Sequence, residues 1–577
     1  MPRTFSPALA VMALAGLAGN ASAELPSVLD VIPAGSLGGV VAPSLASLDR
    51  ATMNLFTAVG MPVLTTPSQM MAEAGFQGLD ADRPIAMAIV PGPMDGDNPP
   101  MALFLPTRDH NAMMNQFGAQ AAEGGVQTFE LNGEHLFAKS IPGGYTIVGP
   151  MAEVISGFEP VDGQMGAHTQ LLGINGVRAA ETSVAWGFIN MPALEPMLAD
   201  EWDGVREQLA EGMAEGMARN PMAAGVDANA AIDSVNAMVD LVEGMVNDGA
   251  YGVFGLQVGT MGVGAQLAMD FDPGSETAAM FAEGGDSGTL LGVLPAEPFI
   301  FASAYDLDCS AATRLMDLAK QMQAMSGMGE GGMNHMMGMM DSTTGGAGAL
   351  YPTPGGLMGG LFTGMVSYHR SNDTGAFIQG IKSASENGAA MGMALTPNET
   401  TLNGNAVHAW TMSLPVDHNN PGAMQMMQMS QMLFGGMQMG GYFVETNGGV
   451  YQTMSRNLTL VESAMGEGGS LADNDSIKQV REHLPSPAAA EGYFGFGALY
   501  QMLSPMAAMM GLQIQTPVPA DLPPIGSAIA AGDGGFHAGF FAPAPVLRVG
   551  AGLAMEIQAM QAGAGDWEQE DEGDAPF

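Results

Sequence analysis

Short apolar or alternating runs, closed by Gly, Asp, Asn or Pro, set the rhythm of this chain. Pro84–Val90 is followed after a turn by Met101–Leu105, Ala250–Val258 by Val263–Met269, and Ile525–Ala531 by Phe536–Ala542. Runs of this length with turn residues between them predict β-hairpins. Each pair leads into a helical pattern: from Asp109, from Asp272-Pro273-Gly274-Ser275-Glu276, and near Val549. A second element is an apolar strand passing straight into a helix, at Gly38–Ala42, Val184–Asn190, Phe299–Tyr305 and Tyr493–Leu499. A third is a hairpin feeding a helix, at Gly144–Gly149 with Met151–Phe158 and at Gly441–Met454 with Asn457–Met465. Strand, strand, helix in repetition predicts an α+β fold of antiparallel sheets with helices packed on one face.

The pattern recurs. Val31-Ile32-Pro33-Ala34 returns as Val293-Leu294-Pro295-Ala296, 262 residues later, and each is followed by a strand and a helical run (Leu48–Val59 and Cys309–Met322). A repeat of that length predicts a tandem duplication of one large module. The expected divisions are 24–160 and 161–287 for the halves of the first copy, then 288–470 and 471–565 for those of the second. Farther along, Phe188 and Phe496 match at a larger spacing. The Gly/Met-rich segment 326–360 is the expected insertion that accounts for it, and 566–577 is an acidic tail. Residues 160–182 read as an irregular link.

Residues 1–23 have the form of a secretory signal: Arg3, an apolar stretch Ala8–Gly19, and Ala21-Ser22-Ala23 before the expected mature start at Glu24. The expected location is therefore outside the cytoplasm, periplasmic or extracellular. The one cysteine, Cys309, excludes an internal disulfide, so the fold must rest on core burial. No later stretch is long and apolar enough to predict a membrane-spanning helix. With 16 Lys and Arg against 59 Asp and Glu, net charge −43, a nucleic-acid partner is excluded, because phosphate binding needs clustered cations.

Fifty-two methionines are spread along the chain and crowd two segments, one holding Met333, His335, Met336, Met337, Met339 and Met340, the other Met424–Met439. Thioethers favour Cu(I), which makes those six residues candidate soft-metal ligands. The competing reading is methionine as a flexible substitute for leucine in the core. Gly285-Asp286-Ser287-Gly288 matches a serine-protease nucleophile motif without a histidine in the matching context. His110 reads as part of a helix start, and His408 as flanking a strand end. Asp80 with Asp82, Asp95 with Asp97, and Asp473 with Asp475 fall short of a calcium loop. Lys382-Ser383 lacks the glycine spacing of a phosphate loop, and no dinucleotide fingerprint follows a strand, so no cofactor is expected.

The signal, the V-[IL]-P-A openings, the Gly-Gly-Tyr hairpin and Asp82-Arg83-Pro84 before a strand pair together resemble exported proteins of unknown function from planctomycete-type bacteria. That resemblance implies no activity and transfers no functional residue. The function expected from the sequence is noncatalytic binding of an apolar ligand or a cell-envelope partner. The alternatives are Cu(I) binding through the Met-rich segments and a hydrolase with an unrecognised site.

Overall fold

The computed structural model describes residues 25–565 apart from 64, 93–98, 200, 220–227, 315–341, 354, 388–392, 414–422, 437, 467 and 510–513. Its strands are β1 (Gly38–Ala42), β2 (Ile85–Ile89), β3 (Met101–Pro106), β4 (Gln120–Ala121), β5 (Gln127–Leu131), β6 (Glu134–Ile141), β7 (Tyr145–Gly149), β8 (Ala185–Asn190), β9 (Gly249–Val258) and β10 (Gly262–Phe271). Then come β11 (Phe301–Asp306), β12 (Thr343–Leu350), β13 (Met365–Ser371), β14 (Met393–Leu402), β15 (Asn405–Ser413), β16 (Gln438–Thr446), β17 (Gly449–Thr453), β18 (Ala490–Phe494), β19 (Ile525–Gly532) and β20 (Gly535–Pro543). Hairpins close where the sequence supplies residues able to take positive φ. Asn132-Gly133, Asn403-Gly404 and Asp533-Gly534 all do so at both central positions, which matches the twist of the strands they join.

All twenty strands form one antiparallel sheet, with β10 beside β20 at its centre. Outward from that seam the first ten run β10, β9, β8, β1, β2, β3, β7, β6, β5, β4. The second ten run β20, β19, β18, β11, β12, β13, β17, β16, β15, β14. The connectivity of one set is that of the other, strand for strand. The change from one set to the other falls between Phe271 and Phe301.

Successive residues of a strand point to opposite faces, and here they join different cores. Val41, Ala86, Phe104 and Ile147 pack with Trp186, Phe188, Tyr251 and Val253 in one. Their neighbours Ala42, Ile85, Leu105 and Val148 pack with Leu45, Leu48, Met71, Met113 and Met114 in another. The outer strands therefore carry helices on both faces, not on one as expected. A strand apolar at consecutive positions needs cover on both sides, and Ile85–Ile89 is such a strand.

Three further expectations are corrected. Residues 160–182 are not irregular: Gln164–Glu181 is a helix lying over β9 and β10, broken once at Gly173. Glycines at 163, 166, 173 and 176 hid its periodicity. The segment 326–360 is not an insertion throughout, because Thr343–Leu350 is β12, hydrogen-bonded between β11 and β13. Its glycines reflect packing: a Cβ on Gly346 would sit 2.7 Å from the Tyr305 hydroxyl, and one on Gly345 2.9 Å from the Tyr305 carbonyl oxygen. The strand expected at Tyr493–Leu499 lies earlier, at Ala490–Phe494, and a helix begins at Phe496. Ala490-Glu491-Gly492 lacks a strand's apolar signature because Glu491 is buried as an ion-pair partner.

Candidate functional site

The central strands β8, β9, β10, β20, β19, β18 and β11 have two unlike faces. One is roofed by Gln164–Glu181 and by Asp475–Arg481 with the turn after it, and its charged groups are paired, whereas Trp186 Nε1 and Gln257 Oε1 are buried without a partner. At the break in the first helix, Gly173 takes φ 63° and frees the amides that follow. Asp270 of β10 accepts from Asn175 N at 2.8 Å, from Asn175 Nδ2 at 2.6 Å and from Gly176 N at 3.4 Å. A carboxylate at a helix start satisfies amides that have no partner within the helix. Burial raises the pKa of Asp270, and these bonds oppose the rise. Beside it, Gln266 Oε1 lies 3.1 Å from His537 Nε2 across the seam and accepts from Thr182 Oγ1 at 2.9 Å. Burial, with Arg178 nearby, pulls the His537 pKa down to about 4.

The same face holds the two V-[IL]-P-A segments through different donors. His168, fully buried, places Nε2 2.9 Å from the Ile32 carbonyl oxygen and Nδ1 3.0 Å from the Tyr251 hydroxyl. That hydroxyl also lies 3.0 Å from the Ala34 carbonyl oxygen, so its one proton serves one acceptor at a time. Burial lowers the His168 pKa and raises that of Tyr251. In the second segment Tyr451 donates to the Val293 carbonyl at 2.9 Å and Tyr351 to that of Pro295 at 3.0 Å. Arg481 binds both carboxylate oxygens of buried Glu491, at 3.0 and 2.9 Å, and Tyr493 donates to Glu491 at 2.6 Å. Each of these groups is satisfied and turned into the protein, which is the arrangement of a structural network.

The opposite face of the same strands is apolar and uncovered in its middle. Leu267, Phe301, Ile529 and Phe540 are each about half exposed (47, 47, 50 and 47 %), and Phe254, Ile189 and Tyr305 are also exposed. Register places them on one side: Phe254 faces Leu267, Leu267 faces Ala538, Ala538 faces Ile529, Ile529 faces Ala490, and Ala490 faces Tyr305. One step along the strands, Ala265, Phe540, Ser527, Gly492 and Ser303 form a parallel row. The face is closed at one end by Leu45–Val59 through Ala51 and Leu55, and at the other by the cluster of Phe271, Phe281, Phe536 and Cys309. Between them lies an open groove of about 610 Å³. Its one carboxylate-bearing position, Glu491, turns its side chain to the other face. A sheet face that meets water ordinarily carries polar residues at alternate positions; this one carries Leu, Ile, Phe and Ala.

The sequence-derived candidates fall elsewhere. Met333, His335, Met336, Met337, Met339 and Met340 lie outside the described residues. Ser287 is fully buried and donates to the Ala488 carbonyl at 2.9 Å, the role of a loop anchor. His110 sits at the start of the helix His110–Gln116, which Asp109 caps at 3.0 Å, with its Nδ1 2.9 Å from Thr146 Oγ1. His408 is not at a strand end but buried within β15, 2.8 Å from Glu445. Asp473 accepts from Ser470 Oγ at 2.8 Å. A second cleft, about 890 Å³, is lined by Asp240, Asp248, Glu276, Glu283 and Arg314. Two of its carboxylates are engaged, Asp240 by Arg206 at 2.8 Å and Asp248 by Thr277 at 2.5 Å.

Among the described residues no group of three or more His, Cys, Asp or Glu side chains is placed to hold a metal ion, and no helix is long and apolar enough to cross a membrane. Comparison with known protein families, with curated proteins and with solved structures gave no match. The groove was missed in the sequence because its residues read as ordinary core. The available signal was the small-and-large alternation at Ala265/Leu267, Ser527/Ile529 and Ala538/Phe540, where strands covered on both faces would carry large side chains more evenly.

Proposed function

We propose that this is a noncatalytic binding protein that takes an apolar ligand, or the apolar surface of a cell-envelope partner, in the groove on the open face of its central strands. The observation that carries this reading is the row of half-exposed Leu267, Ile529, Phe540 and Phe301 on strands whose reverse side is solid core. Leaving one such side chain in water forgoes up to about 1.5–3 kcal/mol of burial. Contiguous exposed apolar surface of this kind marks a site of interaction. The same reading takes the chain as a tandem duplication of one module, its two copies meeting at β10 and β20, on the strength of the shared strand order. It also takes the protein as exported, on the strength of Arg3, the apolar stretch and Ala21-Ser22-Ala23.

The test is uptake of an environment-sensitive apolar dye by the native chain, compared with Leu267→Lys and Phe540→Lys. Saturable enhancement that both substitutions abolish, with thermal unfolding unchanged, supports the groove. Enhancement indifferent to both substitutions would sink it. N-terminal sequencing of protein recovered outside the cytoplasm tests export; retention of Arg3 there would refute cleavage after Ala23.

A further inference from the structure

The groove contains a narrower path. From β10 to β11 the small side chains Ala265, Ala538, Ser527, Gly492 and Ser303 lie on five neighbouring strands. Ser527, Gly492 and Ser303 are direct register partners. Ala538 is one diagonal step from both Ala265 and Ser527, each of which has Phe540 directly opposite, so the path bends around Phe540. The large side chains stand to one side of this path or the other: Leu267, Ile529 and Tyr305 on one, Phe540 and Phe301 on the other. Five strands cover four spacings of about 4.8 Å, so the path runs roughly 19 Å across the sheet. Large side chains on the two sides are set only a few residues apart along the strands, each residue advancing about 3.4 Å. That opening admits a single hydrocarbon chain and is too narrow for a helix about 10 Å across.

We propose that this path seats one unbranched alkyl chain of roughly 15 carbons lying across the strands and bending once past Phe540, so that the ligand is a molecule bearing an unbranched acyl or alkyl tail. The proposal rests on the reading of the groove as an apolar-binding site and specifies what it binds. No charged side chain lines the path, so the head group of such a ligand stays outside it. A second copy of this chain is a poor occupant, since each carries a net charge of −43 and would bring it against the other. The hydroxyls of Ser303 and Ser527 interrupt the floor without adding bulk. Ser527 Oγ already lies 3.5 Å from the Gly492 carbonyl oxygen, to which it donates.

Gly492 provides the test. A Cβ there would meet only Ser527 Oγ at 3.4 Å and Ala302 O and Phe301 Cε2 at 4.0 Å, which is ordinary contact. Gly492→Leu therefore fits the backbone and fills the path. Neutral monoacylglycerols of increasing chain length would be titrated by displacement of the apolar dye, with the same acyl chains on the amino terminus of a short neutral peptide as a second arm. Affinity is expected to rise about two- to fourfold per methylene and to level off near 15 carbons. Gly492→Leu should weaken the longest chains at least tenfold and bring the plateau to shorter ones, with an unchanged melting temperature. Ser303→Val carries the test if Gly492→Leu does not fold. Tighter binding in one arm identifies a lipid or an acylated polypeptide as the source of the tail. Dye uptake with no dependence on chain length, or a plateau unmoved by both variants, overturns the alkyl path and leaves the apolar-binding reading standing. Absence of both dye and acyl uptake overturns the two together.

Discussion

The two faces of the central strands are made by alternate residues of the same segments, and they differ in one respect: what lies over them. Under the helices, Trp186, Phe188, Tyr251 and Val253 are almost completely buried, and the charges that share their face, Asp270 and Glu491, are bonded at two or more points. On the other side Leu267, Ile529, Phe540 and Phe301 meet solvent with nothing polar among them but serine and tyrosine hydroxyls. Apolar composition alone therefore does not mark a core in this protein. The buried face is distinguished by charged groups that have found partners, Asp270 and Glu491, and the open face by carrying no charged side chain.

The contrast can be broken most strongly from the buried side. Phe188→Ala removes a ring stacked on Tyr251 at 4.7 Å and leaves a cavity in the main core, with an expected loss of about 3–5 kcal/mol in urea unfolding. A loss below about 1 kcal/mol would mean that this face is not the principal core. Arg481→Met strands the Glu491 carboxylate, whose side chain is 2 % exposed, and should cost about 3 kcal/mol. Glu491→Gln in the same background should recover part of that, since it removes the unpaired charge.

Acid should also act on the buried face. The pKa of His537 falls from 6.5 to about 4 on folding, so the unfolded chain takes up a proton that the folded chain refuses. The stability this group contributes is complete above about pH 6.5 and declines as the pH drops toward 4, by up to about 3 kcal/mol. Lowered His168 acts in the same direction. Asp270, whose pKa is raised, acts in the opposite one and offsets some of the loss at the acid end. Urea midpoints across this range should slope downward toward acid, and His537→Gln should flatten the slope. An unchanged slope in that variant would place the acid sensitivity elsewhere. The smallest effect belongs to the open face: Leu267→Ser and Ile529→Thr should each alter stability by less than about 1 kcal/mol. A larger loss from either would show that the open face carries structural load.

Much of the sheet was legible in the sequence. The hairpins β2–β3, β9–β10 and β19–β20 were marked by apolar runs and turn residues, and the helix after β1 by its period. Three elements escaped because their residues answer to distant partners. Two glycines of β12, Gly345 and Gly346, make room for Tyr305, Gly173 admits Asp270 at the helix break, and Glu491 enters a strand only because Arg481 meets it there. A Cβ on Gly173 would stand 2.3 Å from Asp270 Oδ2, a constraint set from 97 positions further along the chain. The groove escaped for a different reason. Exposure is a property of what fails to pack, and no residue type encodes it. The six Met and His residues proposed as soft-metal ligands lie outside the described residues.

The seam between β10 and β20 has a consequence for how the chain reaches its native state. Gln266 meets His537 across it, 271 residues apart, whereas most other neighbours in the sheet are joined by shorter connections. Closing so long a loop carries a large entropy cost, and pairings of high sequence separation form late. Each set of ten strands would therefore assemble first and wait with a long unpaired edge, β10 in one and β20 in the other. Such an edge is a template for any chain with a matching one. Two molecules at that stage could exchange partners, the first ten strands of one zipping onto the last ten of another. The yield of correctly closed monomer on refolding should thus fall as protein concentration rises, with domain-swapped dimers as the competing product.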